Sequence, residues 1–148
     1  VTTIEQALEP LYQLIKNKNI ATHVESAEEA FALYDEERII QVMNNLVSNA
    51  VKFCPETDGL ITIQVIDKED VVQINVSDNG KGIDKNDFEN IFDKFYQSSN
   101  QNFKKPIGSG LGLAICKQIV EYHKGKIWVQ DSVKGACIVF TLPKHKQP

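Results

Sequence analysis

The chain has 148 residues, 16 Lys and Arg against 20 Asp and Glu, and a formal charge of −4. Apolar residues make up 42% and charged residues 24%, a balance that supports a packed core and excludes a disordered tail. The mild acidity argues against nucleic acid as a partner, since phosphate backbones select basic faces. There is no apolar run of about 18 residues for a membrane span, so no direct membrane contact is expected. The start, Val1-Thr2-Thr3-Ile4-Glu5, lacks the basic-then-apolar pattern of a signal peptide. The length predicts one domain.

In chain order, Thr3-x-x-Gln6 has the form of a capping box before a helix over about Ile4–Lys16, with Pro10 set to kink it. A strand is predicted near Ile20–Glu25. Asp35-Glu36-Glu37 opens a helix that runs to Phe53 and stops before Pro55, with acids where the helix dipole favours them. Ile61–Ile66 and Val71–Ser77 read as a strand pair. Phe88–Tyr96 holds short helical segments, and Gln97–Ile107 is polar and aperiodic. Leu111–His123 is an apolar helix closing near Gly125. Lys126–Gln130 and Cys137–Leu142 form a final hairpin. This order predicts an α+β fold: a two-layer α/β sandwich with a mixed, mostly antiparallel sheet and helices on one face.

Four segments carry chemistry. On the helix from Asp35, taking about 100° per residue, Asn45, Asn49, Lys52, Gln41 and Arg38 fall within about 40° of one line. Ile39, Met43, Leu46, Val47 and Ala50 lie opposite. A solvated stripe is one reading. Asn is a mediocre helix former, however, and an amide oxygen is a hard neutral ligand suited to Mg²⁺ held mainly by phosphates. Lys52 is placed to meet a phosphate.

Asp78 ends a strand on the face shared with Ile74 and Val76. A buried carboxylate needs a donor; adenine offers an amino group where guanine offers an oxygen. Asp78-Asn79-Gly80 is equally good turn chemistry. Gly108, Gly110 and Gly112 open a helix and expose backbone N–H groups to an anion, or simply make a tight turn. The span Gln97–Ile107, with Lys104 and Lys105, reads as a lid over a nucleotide or as a surface loop. The three cysteines, Cys54, Cys116 and Cys137, are odd in number and widely spaced, which suits buried small side chains better than disulfides or zinc.

Together these motifs resemble the catalytic and ATP-binding domain of two-component sensor histidine kinases, within the GHKL (Bergerat-fold) ATPases. Asn45-Leu-Val-Ser-Asn49-Ala50-Val-Lys52-Phe53 resembles the N box (45–53), and Asp78-Asn-Gly80-Lys-Gly82-Ile83 the G1 box (78–83). Phe92-Asp-Lys-Phe95-Tyr96 resembles the F box (92–96), preceding a lid over 97–107. Gly108-Ser-Gly110-Leu111-Gly112-Leu113 resembles the G2 box (108–113). The resemblance implies ATP and Mg²⁺ as cofactors. Asn49 would hold Mg²⁺, with Asn45 beside it, and Lys52 would touch a phosphate. Phe53 and Ile83 would border the adenine, which Asp78 would read. Gly80 and Gly82 would admit the base, and Gly108 to Leu113 would border the phosphates, with Lys104 and Lys105 near them. Phe92 and Phe95 would anchor the lid or pack the core.

The resemblance further implies transfer of the ATP γ-phosphoryl group to a histidine on a dimerisation and phosphoacceptor helical hairpin, for relay to a response-regulator aspartate. His23, His123 and His145 lie in no phosphoacceptor motif, so the acceptor is expected outside this chain, in a parent whose membrane anchor would leave this domain in the cytoplasm. Two departures matter. Ala136 and Cys137 stand where the family often has Thr or Ser, which questions one adenine contact. Asn45 stands where water-activating relatives carry an acid, and an amide accepts no proton. A GHKL serine kinase acting on anti-sigma pathways and a degenerate nucleotide-sensing module are the alternatives.

Overall fold

The computed structural model describes residues 2–26, 30–93, 112–132 and 134–144. Five strands form one sheet in the order β1-β2-β3-β5-β4: β1 Ala21–Ser26, β2 Leu60–Asp67, β3 Val71–Asp78, β4 Ile127–Gln130 and β5 Cys137–Pro143. Among the described residues, β1 and β2 pair in parallel and the other three pairs are antiparallel. The expected mixed, mostly antiparallel sheet with packed helices is what the chain forms.

Period-two alternation decides which side of the sheet is covered. Ile61, Ile63 and Val65 of β2, Val72, Ile74 and Val76 of β3, and Ile138, Phe140 and Leu142 of β5 are all buried. Registered across the strands, they form one apolar layer, with Ile63 beside Val76 and Val76 beside Ile138. The other side carries a ladder of polar side chains. Gln73 donates to Asn75 at 2.9 Å, Asn75 to Gln64 at 3.2 Å, and Gln64 to Glu25 at 2.9 Å.

Helix α3, Glu36–Phe53, lies on the apolar layer, flanked by α1 (Thr2–Leu8) and α4 (Gly112–Tyr122). Asp35 caps it, its carboxylate accepting from the Arg38 N–H at 3.4 Å. The buried side is wider than the stripe expected from sequence, taking in Val42 and Val51 as well. Helices press on both flanks of α3, so residues at the edge of its apolar arc lose their solvent too.

The first predicted helix is broken into α1, a 3-10 turn over Glu9–Leu11 that contains Pro10, and α2 over Tyr12–Asn17. A ring that removes one N–H and crowds the preceding turn accounts for the break. Thr3 is not a cap: α1 already begins at Thr2, and the Thr3 hydroxyl meets the Tyr34 hydroxyl at 2.6 Å. In the segment after β3, a 3-10 turn over Asn90–Phe92 stands within the Phe88–Tyr96 stretch where short helices were expected, and a second, Lys85–Asp87, precedes that stretch. Cys116 and Cys137 are buried as predicted, whereas Cys54 is only half-buried.

Candidate functional site

The site is laid out along α3, whose Asn45-to-Phe53 stretch spans about 12 Å of helix. At its C-terminal end lies Asp78, the last residue of β3 and 6% exposed. Its carboxylate accepts from the Gly80 N–H at 2.8 Å, while its own N–H donates to the Ala136 carbonyl at 2.9 Å. Burial raises the Asp78 pKa above the ordinary carboxylate value, and the backbone N–H groups of Gly80 and Ala136 pull it back in part.

Two glycines permit this packing. A Cβ on Gly80 would fall 1.9 Å from the Phe53 carbonyl oxygen, which ends α3. A Cβ on Gly135 would fall 1.9 Å from the Asp78 carbonyl oxygen, and Gly135 also has φ +82°. Asn79 fastens the same turn from its other side. Its amide oxygen accepts from the Leu60 N–H and its amide nitrogen donates to the Asp58 carbonyl, both at 2.8 Å.

The other end lies at the start of α4. The Asn45 amide donates to the Gly112 carbonyl at 3.4 Å. One turn further along α4, the Cys116 thiol donates to the Val42 carbonyl at 3.7 Å. Burial pushes the Cys116 thiol up to about 12, so it keeps its proton and acts as a donor. At the far end of α4, the His123 Nδ1–H donates to the Ile119 carbonyl at 2.8 Å and Nε2 accepts from the Asp35 N–H at 3.0 Å. Three links in antiparallel register therefore join α3 to α4.

Asn45 and Asn49 are half-buried on the α3 stripe, and Lys52 is exposed in its last turn. Phe53, Gly82, Ile83, Gly112 and Leu113 are half-buried, with Ile83 and Leu113 packed against the core cluster. Phe92 belongs to that core. Phe95, Lys104, Lys105, Gly108, Gly110 and Leu111 lie outside the described residues. Three contributors carry parts that the sequence did not assign to them: Gly135, Ala136, which reads there only as a departure from the family, and Asn79, which reads only as turn chemistry. Gly135 left a signal, a Lys-Gly turn before a predicted strand. The part of Ala136 is played by its main chain, which no side-chain pattern reveals.

The donor set bears on a metal. Among the described residues no three His, Cys, Asp or Glu are grouped to hold an ion. Asn45 and Asn49 supply only neutral amides. That set fits a cation that arrives already chelated by phosphates and takes an amide oxygen as an extra ligand.

Comparison with known proteins places these features. The family described as histidine kinase-, DNA gyrase B-, and HSP90-like ATPase matches residues 34–146. The sensor histidine kinase WalK of Bacillus subtilis (strain 168) is 46% identical over 117 residues, covering 76% of this chain and 19% of that protein. The adaptive-response sensory kinase SasA of Crocosphaera subtropica is 35% identical over 146 residues, 96% of this chain and 37% of that protein. The chain thus spans well under half the length of these relatives. Among solved structures, the nucleotide-free catalytic domain of the histidine kinase ThkA superposes with a TM-score of 0.84 at 32% identity, covering 97% of this chain and 92% of that one. ThkA in complex with the response regulator TrrA matches with a TM-score of 0.82 at 30% identity, over 97% of this chain and 40% of that one.

Proposed function

We propose, from the premise that this chain belongs to the histidine kinase-, DNA gyrase B-, and HSP90-like ATPases as a sensor-histidine-kinase catalytic domain, that it binds ATP with Mg²⁺ along α3. In this reading it presents the γ-phosphoryl group to a histidine of a phosphoacceptor helical hairpin. The P–O bond to the ADP oxygen breaks, a P–N bond to the imidazole forms, and the phosphoryl group passes on to a response-regulator aspartate. Asp78 accepts a hydrogen bond from the adenine amino group. Asn49 gives Mg²⁺ an amide oxygen, Asn45 stands beside it, and Lys52 meets a phosphate. Phe53, Gly80, Gly82 and Ile83 border the base. Gly112 and Leu113 border the phosphates, as do Lys104, Lys105, Gly108, Gly110 and Leu111, while Phe95 anchors the lid.

The observation that carries this is the span itself: the buried carboxylate of Asp78 lies beside the C-terminal end of α3, and about two turns earlier the half-buried Asn45 amide meets Gly112 at the start of α4, with Asn49 between them on the same stripe. A purine and a chelated triphosphate need those two chemistries apart but on one wall. Because Asn45 is an amide, the domain supplies position and charge neutralisation, with no base for water. The serine-kinase alternative would want an acid there.

Titration calorimetry with a non-hydrolysable ATP analogue, with and without Mg²⁺ and against GTP, tests the reading. Binding of the adenine nucleotide strengthened by Mg²⁺, with no comparable binding of GTP, is the expected result. Equal binding of both purines would reject Asp78 as the base reader. Adding the parent's phosphoacceptor hairpin should yield acid-labile phosphohistidine from radiolabelled ATP.

A further inference from the structure

The last registered pair at this end of the β2–β3 ladder is Ile61 with Asp78. One step further the register would bring Asn79 opposite Leu60, but β3 ends at Asp78 while β2 still includes Leu60. The half-buried Asn79 side chain takes over that step. The Leu60 N–H donates to its amide oxygen, and its amide nitrogen donates to the Asp58 carbonyl, each at 2.8 Å. A carboxamide carries the same donor and acceptor as a peptide group, so the side chain supplies the bonds that the departing main chain gives up. A carboxylate in its place would have no proton for the Asp58 carbonyl. The main chain of Asn79 and Gly80 is thereby released to turn toward α3. Gly80 lies there against the Phe53 carbonyl, and its N–H reaches the Asp78 carboxylate at 2.8 Å. The loop that Asn79 grips is itself fixed: Asp58 has φ +56°, and the Gly59 carbonyl accepts from the Ala21 N–H at 2.8 Å.

We propose that Asn79 is a positioning residue for base recognition: by carrying the β2–β3 ladder one step further with its side chain, it holds the turn that sets the Asp78 carboxylate toward the adenine amino group. The inference rests on the reading of Asp78 as the adenine contact. Asn79 itself meets no nucleotide in it. The Gly80 N–H occupies one side of the carboxylate and leaves the remainder for the base, and that bond depends on where the turn is held. The phosphate end of α3 takes no part.

The test is calorimetric binding of non-hydrolysable ATP and GTP analogues to the chain. Asn79→Ala should weaken binding of the ATP analogue about tenfold, the scale of a misplaced charged acceptor, and shrink the preference over the GTP analogue by a similar factor. Asn79→Asp, which keeps the shape and the acceptor but loses the donor, should act in the same direction by about threefold. The gain in affinity from Mg²⁺ should be unchanged in both. In an Asp78→Asn background, Asn79→Ala should have no further effect, as expected of two residues acting through one contact. Urea denaturation establishes that each variant is folded; should Asn79→Ala not be, Asn79→Asp carries the same comparisons. An unchanged ATP-analogue affinity, an equal loss for both purines, a reduced Mg²⁺ gain, or a full effect in the Asp78→Asn background would reduce Asn79 to a turn residue. Equal binding of both purines by the unmodified chain would instead overturn the reading of Asp78, so the two failures are distinct.

Discussion

The two ends of α3 are built by different means. At the Asp78 end, main chain sits directly on main chain: Gly80 on the Phe53 carbonyl, and Gly135 on the Asp78 carbonyl. At the Asn45 end, side chains reach across to a neighbouring helix at 3.4 and 3.7 Å. The first arrangement has no slack, since an added methyl meets backbone that cannot rotate away. The second can loosen through a rotamer change. On the proposed reading, a base reader that must stay fixed and a phosphate end that must admit a metal and its water call for that division.

The largest break in this contrast should come at Gly135. Gly135→Ala combines a left-handed φ with a clash against Asp78. It should cost about 2 kcal/mol of folding stability or more, measured by urea denaturation, and abolish nucleotide binding with it.

Asp78→Asn should separate the two properties. ATP-analogue affinity should fall by about 1–3 kcal/mol, the cost of a mismatched buried polar contact, while the fold holds. The sign of the pH effect follows from burial. The folded pKa of Asp78 lies above its unfolded value, so the apo domain loses stability from this group as pH rises from the ordinary carboxylate range through the raised value. Nucleotide affinity should run the opposite way, weakening as pH falls through that same window, because a protonated Asp78 is a poorer acceptor. Calorimetry across pH checks both trends, and Asp78→Asn should flatten both.

A smaller effect is expected where α4 is clipped to α3. His123→Ala removes two hydrogen bonds and should lower stability by about 1 kcal/mol, read as a shifted urea midpoint with nucleotide affinity unchanged. The smallest belongs to the surface. Lys85 and Asp131 pair at 3.3 Å with side chains 74% and 69% exposed, and Lys85→Ala should leave the urea midpoint unmoved.

Much of the framework was legible because it rests on local rules. The acidic start of α3 at Asp35-Glu36-Glu37, its end before Pro55, and the alternation in β2 and β3 all follow from neighbours in sequence. Asp78 on the inward face followed from counting by twos from Ile74. What stayed hidden depends on chain segments far apart in sequence. His123 read as an isolated histidine in a helix's last turn, and its acceptor role exists only because Asp35 folds beside it. Ala136 looked like a lost contact, yet its main-chain carbonyl and N–H serve Asp78 whatever the side chain is. The Thr3 capping box failed for the same reason: a distant tyrosine hydroxyl offered the threonine a better partner than its own helix.

The parallel pairing of β1 with β2 has a kinetic consequence. All six residues of β1 are exposed, and α3 lies in the chain between the two paired strands. Closing so long a loop costs entropy before any ladder bond is gained. The residues proposed to bind nucleotide draw on α3, β3, the turn after β3 and α4, and on none of β1. Pulse-labelled hydrogen exchange during refolding should therefore find the Asp78 region protected while the amides of Ala21–Ser26 still exchange, and simultaneous protection would show that the pocket cannot form until the last strand has docked.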